Sequence, residues 1–286
     1  MTDDRFNHTA APLRISRVRL RVRDLDRVAD FYQRVIGLTV IRQSPPVITL
    51  GVGEVALLDL IADPAATQQN RSDAGLFHTA FLLPTRADLA RWLAHVTNTE
   101  VTLQGASDHI VSEAIYLADP EGNGIEVYTD RPVSHWYGAD GQIRMATDPL
   151  DIPDLLAVGS GQWAGFPQGG VIGHVHLQVG DTGAADQFYS DILGFDIASR
   201  YPGASFYGSG GYHHQLAGNI WNSRTFGPRP EGAAGLEVLE IGVQGPGAKA
   251  AIEARAAQSG ISAIQDGAHT VLRDPWGTTI ALAEVT

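Results

Sequence analysis

One motif occurs twice in this chain at a fixed offset, and that limits the fold more than any composition value. Ile15-Ser16-Arg17-Val18-Arg19-Leu20, Phe31-Tyr32 and Gly37 are followed 157 positions later by Ile172-Gly173-His174-Val175-His176-Leu177, Phe188-Tyr189 and Gly194. A second echo, Asp119-Pro120-Glu121-Gly122 against Asp274-Pro275-Trp276-Gly277, is offset by 155. Two agreeing registers across 286 residues mean a duplicated architecture. Function is then sought where the copies differ, and they differ in metal-ligand chemistry.

Each copy reads as strand, helix, then short strands. From Ser16 to Arg23, Val18, Leu20 and Val22 alternate with Arg17, Arg19 and Arg21, the period of a half-buried strand. Asp24 or Asp26 can cap the next segment, where Val28, Phe31, Tyr32 and Val35 fall at helical spacing until Gly37 stops it. Further strands are expected between Val47 and Ile61, and the pattern recurs as a strand over 75–83, a helix over 86–96 and two strands over 112–130. A third unit spans about 171–222 and a fourth about 235–285. These four units predict a domain at 1–130, a connecting segment at 131–170 rich in Gly, Pro, Asp and Trp, and a second domain at 171–286. A connection that long is either a linker or a packed functional loop.

Composition narrows the chemistry. The 32 acidic residues outnumber the 20 basic ones, and no run of Lys or Arg stands out, which argues against nucleic acid and anionic membranes as partners. No apolar stretch is long enough for a membrane span, and no secretion leader is visible, so a cytoplasmic location is expected. With no cysteine, any metal must be held by His, Asp, Glu or Gln.

Several stretches carry a specific resemblance: Gly75-Leu76-Phe77-His78, Ser107 to Ala114, Asp119 to Glu126, Met145 to Leu150 and Gly211-Tyr212-His213-His214. With the four units and the repeated turns, the chain resembles the vicinal oxygen chelate superfamily of glyoxalase I, bleomycin-resistance proteins and type I extradiol dioxygenases. Within it the chain is similar to the two-domain bacterial catechol-2,3-dioxygenase group. The resemblance implies an α+β fold of four βαβββ modules forming two cupped mixed sheets. It also implies that pairs of modules close each cup, with ligands on first and last strands.

Carried over by motif, with modules one and two forming one cup, the N-terminal cup offers Arg17, Asp59, His78 and Glu126. The C-terminal cup offers His174, Gln215, Val238 and Ala281. His78, Glu126 and Asp59 are the implied metal ligands, with Fe(II) or Mn(II) as the implied ion. A core histidine and a salt-bridged carboxylate are the structural alternatives for His78 and Glu126. Arg17 stands where these dioxygenases place their first histidine, and a guanidinium cannot ligate a metal. It either pairs with Asp59 and Glu126, leaving the cup metal-free, or faces a substrate oxyanion.

Tyr116 and His109 match a substrate-side tyrosine and a proton-transfer histidine by the same resemblance, against an ordinary strand tyrosine and a turn histidine. His174, His176, His213 and His214 read as a hydrogen-bonded cluster or as a second site, with His174, His176 and His214, like Arg17, being substrate-side candidates. The implied activity is extradiol cleavage of a catechol-like aromatic molecule. The alternatives are a metal-free aromatic binder and a glyoxalase-like isomerase or lyase. Family members often pair through sheet edges, so a homodimer is one expected arrangement.

Overall fold

The computed structural model describes residues 4–70 and 72–285. The four modules form as their patterns predict. The first is β1 (Leu13–Val22), α1 (Leu25–Phe31), β2 (Thr39–Ser44), β3 (Val47–Val52) and β4 (Val55–Ala62). The second is β5 (Gly75–Leu82), α2 (Arg86–Val96), β6 (Gly105–Asp108), β7 (Ser112–Ala118) and β8 (Gly124–Asp130). After β9 (Asp148–Pro149) and α3 (Ile152–Ala157), the third is β10 (Val171–Gln178), α4 (Thr182–Asp186), β11 (Asp196–Tyr201), β12 (Ala204–Gly208) and β13 (Leu216–Asn219). The fourth is β14 (Gly235–Gln244), α5 (Ala248–Gln258), β15 (Ile264–Asp266), β16 (His269–Arg273) and β17 (Thr279–Val285). No helix among the described residues is long and apolar enough to cross a membrane.

Local chemistry sets the element boundaries. Asp24 caps α1 by accepting from the Arg27 amide at 3.1 Å, and Thr85 caps α2 with Asp88 in a reciprocal pair. After α1 the chain widens into a π turn over Tyr32–Ile36 and leaves through Gly37 at φ +86°. A Cβ on Gly37 would stand 2.6 Å from the Phe166 amide, which donates to the Gly37 carbonyl, so the close approach requires glycine.

The strand order corrects the module grouping read from the sequence. One sheet runs β15-β16-β17-β14-β1-β4-β3-β2 and joins the first module to the fourth. The other runs β11-β12-β13-β10-β5-β8-β7-β6-β9 and joins the second to the third. The sequence reading paired neighbours, one with two and three with four. Chain adjacency is a local signal, whereas the partner of a first strand is chosen by long-range register: β1 pairs antiparallel with β14, setting Arg17 opposite Glu240.

Two compact units result. One contains 24–62 and 78–172, the other 7–23, 63–77 and 173–286. In the first unit the core includes Val28, Tyr32, Phe81, Trp92 and Ile115, all essentially buried, and Trp92 donates its indole N–H to the Val35 carbonyl. The 131–172 stretch belongs to this unit as packed structure: β9 pairs with β6, and Phe166 meets Phe81 edge-on at 5.9 Å. In the second unit Val175, Leu177, Phe188, Tyr189, Leu239 and Leu282 are buried.

The two sequence echoes meet in space. Tyr32 of the first Phe-Tyr motif faces Asp119 of the first Asp-Pro turn, its hydroxyl 3.5 Å from Oδ2. In the second unit the Tyr189 hydroxyl donates to Asp274 at 2.6 Å. Each aspartate also gathers amide donors of its own turn, from Glu121 and Asn123 at Asp119, and from Trp276 and Thr278 at Asp274. The repeated motifs are therefore a structural clasp.

Candidate metal centre

His78 and Glu126 come together because two parallel strands hold them in register. β5 and β8 pair with Ala80 opposite Glu126, so His78, two residues earlier on the same face, stands one pleat from the carboxylate. His78 Nε2 lies 3.0 Å from Glu126 Oε2, and both residues are buried. The flanking residues are apolar, with Ala80, Leu82, Ala114 and Tyr128 packed behind them. A buried carboxylate in such surroundings is costly without a cationic partner or a metal.

His109 and Tyr116, given separate roles in the sequence reading, lie in contact in the structure. Tyr116 lies on β7 directly across from Glu126 on β8. Burial and the neighbouring Glu126 carboxylate push the Tyr116 phenol well above its ordinary range, so it is a proton donor at neutral pH. Its oxygen lies 2.6 Å from His109 Nε2, while His109 Nδ1 lies 2.6 Å from the Ala146 carbonyl. A carbonyl can only accept, so Nδ1–H donates to Ala146 and Nε2 is the ring nitrogen that faces the Tyr116 hydroxyl.

His109 sits in the tight β6–β7 turn, where Ile110 adopts φ +70°, a strained conformation for a β-branched residue. The turn is held by Asp108, which accepts from the Ile110 amide and pairs with Arg131 at 2.5 Å. Arg131 and Arg86 both pair with the buried Glu113, and Arg86 also reaches Asp154 of α3. Through this network and the Ala146 carbonyl, the long connecting segment fixes the His109 ring. Sequence offered no signal for Ala146, because its contribution is a main-chain oxygen.

The second unit carries the other histidines. His174 and His176 share a face of β10, and both are buried. The His174 ring meets His214 at 4.2 Å, and His213 and His214 share one hydrogen bond between Nδ1 atoms at 2.8 Å. Asn219 donates to His176 Nε2 at 3.0 Å, which puts the ring proton on Nδ1. Gln215, at the position matching Asp59, exchanges two hydrogen bonds with the Ser209 main chain and is structural.

Among the described residues, His78, Glu126 and His174 form a group able to hold a metal ion, each offering one ligand atom within 4.8 Å of the others. His174 takes the place that the sequence reading gave to Asp59. Asp59 lies on β4, in the sheet of the first and fourth modules, where its carboxylate accepts from Thr49 at 2.7 Å. Arg17, read from the sequence as pairing with Asp59 and Glu126 or as facing a substrate oxyanion, places its guanidinium 2.7 Å from Glu240, and His269 approaches the same carboxylate at 3.4 Å.

The register explains why the fourth module supplies no ligands. Glu240 pairs with Ala281 as Ala80 pairs with Glu126, so Val238 stands where His78 does and Ala281 where Glu126 does. Sequence had the signal for His174, since it matches Arg17 at the 157 offset. What hid its place beside His78 and Glu126 was the assumption that the third module closes on the fourth.

A family model described as the glyoxalase/bleomycin resistance protein/dioxygenase superfamily matches residues 5–127 and 171–241. A catechol-2,3-dioxygenase of Bacillus subtilis is 41% identical over 233 residues, covering 79% of this chain and 81% of the relative. A biphenyl-2,3-diol 1,2-dioxygenase of Rhodococcus globerulus is 28% identical over 41% of this chain and 63% of its own. Among solved structures, a Bacillus subtilis protein described as a putative dioxygenase superposes with TM-score 0.67 at 14% identity, over 94% of this chain and 84% of that one. Maize glyoxalase I superposes with TM-score 0.58 at 17% identity, over 97% and 94%. These two superpositions establish likeness of fold.

Proposed function

We propose that this chain, which belongs to the glyoxalase/bleomycin resistance protein/dioxygenase superfamily, is a metal-dependent extradiol dioxygenase that opens the ring of a catechol-like aromatic substrate. The observation that carries this is the donor set: two imidazoles and one carboxylate from three strands, His78, His174 and Glu126, with ligand atoms within 4.8 Å of one another. Two histidines and one carboxylate on one face suit a non-haem Fe(II) or Mn(II) ion with positions left for other ligands. The high identity to a catechol-2,3-dioxygenase over most of both chains supports the same reading.

The donor set fits such an ion chemically. Glu126 supplies the negative charge, His78 and His174 supply neutral nitrogen, and the apolar packing around Ala80 and Ala114 keeps competing water out. When bound, the metal would supply Lewis acidity toward the paired oxygens of a diol and a docking point for O₂.

The remaining chemistry falls to this chain's own side chains. Tyr116, held protonated by burial beside Glu126, donates a hydrogen bond at the edge of the centre. His109 Nε2, 2.6 Å from that hydroxyl, is placed to exchange a proton with the phenol. The Ala146 carbonyl at Nδ1 then stabilises the imidazolium, since the same N–H donates in both states. No such relay is needed to hold a metal, so its presence favours proton-coupled turnover over mere ligand binding.

The test is oxygen uptake by purified protein loaded with Fe(II) or with Mn(II) and given catechol. The reading predicts ring opening with about one O₂ consumed per ring. Metal-loaded protein that consumes no oxygen with any catechol would overturn it.

A further inference from the structure

We infer that the second unit contains a binding site for a small organic monocarboxylate, built around Arg229 and Arg273. Both line one cavity of about 390 Å³ formed within this unit by the loop before β14, the start of β14 and the Asp274 turn. No lining residue is a candidate metal ligand, so the site stands apart from the dioxygenase reading.

The two arginines carry charge that the chain leaves uncompensated. Arg229 donates to the Ala234 carbonyl at 3.2 Å and to the Leu236 carbonyl at 2.5 Å. Arg273 donates to the Gly277 carbonyl at 3.2 Å. Among the described residues neither guanidinium forms an ion pair, and each has five N–H donors to offer. Burial is the strongest influence on Arg229 and lowers its pKa from the ordinary value, yet a guanidinium stays charged at neutral pH. A half-buried charge without a counter-ion is costly, and a bound anion relieves that cost. The backbone also makes room for this side chain: a Cβ at Gly235, where φ is +108°, would stand 3.0 Å from Arg229 Nη1.

Charge and shape select the ligand. Arg21, Arg229 and Arg273 line the cavity against Glu231 and Glu237, leaving one net positive charge in a chain whose total is −12. Arg21 is already engaged by Glu237 at 2.8 Å and by Asp63 at 2.7 Å, so the donors left for a ligand are those of Arg229 and Arg273. One net charge matches a monoanion, whereas a dianion would meet the two glutamates with half its charge unbalanced. A planar carboxylate also fits the forked N–H pairs of a guanidinium. Trp276, Leu236 and Pro228 add an apolar wall, which calls for an apolar body behind the carboxylate rather than a bare ion.

The experiment is calorimetric titration of the full chain, at low salt, with benzoate, its neutral isostere benzamide and inorganic phosphate. Metal-loaded wild type is compared with His174→Ala, so that benzoate held at the metal centre is not counted. The inference predicts a benzoate site present in both, with benzamide unbound and phosphate weaker than benzoate. In either background Arg229→Gln and Arg273→Gln should each weaken that site about 10-fold, the loss of one charge-assisted hydrogen bond. Arg273 is exposed, so its variant keeps the fold if Arg229→Gln does not. Benzoate that fails to bind, that binds only where His174 is intact, or that binds both arginine variants as it binds wild type overturns the inference. Phosphate bound more tightly than benzoate overturns it as well.

Discussion

At the scale of single residues, the centre depends on side-chain parity and on which atom carries a proton. His78 and Glu126 meet because β5 and β8 run parallel with Ala80 opposite Glu126. Both residues were singled out by the resemblance of their motifs, since by themselves a histidine and a carboxylate in apolar strands read as a core histidine and a salt bridge. Tyr116 was legible by its place ten residues before Glu126. Ala146 was not, since a carbonyl has no signature, and neither was the φ of Ile110. The Tyr116–His109 contact predicts that Tyr116→Phe retains metal but lowers kcat about 100-fold. His109→Gln should do the same, and the double variant should be no worse than either single one, as measured by steady-state turnover. Additive losses in the double variant would show that the two do not act as a relay.

Helices, turns and strands owe their placement to the repeated motifs, which proved to be architecture. The Phe-Tyr and Asp-Pro signatures read as family markers; the structure gives them one job, with Tyr32 facing Asp119 and Tyr189 bonded to Asp274. Burial raises the Asp119 carboxyl to about 6, against amide and side-chain donors that pull it down. An unfolded chain holds this group near the ordinary value of about 3.9. Between those values the folded chain binds the extra proton, so this group's contribution to stability falls as pH rises from about 4 through 6, by up to about 3 kcal/mol. Urea unfolding at a series of pH values should therefore show a slope that Asp119→Asn reduces. An identical slope in the variant would mean that the carboxyl is not held in its protonated form.

For the whole molecule, module pairing decides which residues share a centre. Module boundaries were legible in the sequence from the strand and helix periods, down to α2 at Arg86–Val96. The pairing was not, because it is set by contacts between strands far apart in the chain, such as β1 with β14. Pairing neighbouring modules set Asp59 and Arg17 beside His78 and Glu126 in the sequence reading and set His174 apart from them. The structure puts Arg17 opposite Glu240, in the sheet that does not contain His78. Arg17→Met should therefore lower stability by about 2 kcal/mol, less than for a fully buried pair because both partners are partly exposed. Metal content should be unchanged, checked by denaturant unfolding and elemental analysis of the same preparation. The pattern at the fourth module, Val238 and Ala281 in place of His78 and Glu126, predicts that the sheet of the first and fourth modules binds no second metal ion.

The measurement that reaches the central claim most directly is metal content per chain after loading with Fe(II) or Mn(II), in wild type, His174→Ala and Asp59→Asn. A centre of His78, Glu126 and His174 predicts about one equivalent in wild type and in Asp59→Asn, and near-complete loss in His174→Ala. Metal retained in His174→Ala and lost in Asp59→Asn would contradict the ligand set and return the centre to the sheet of the first and fourth modules.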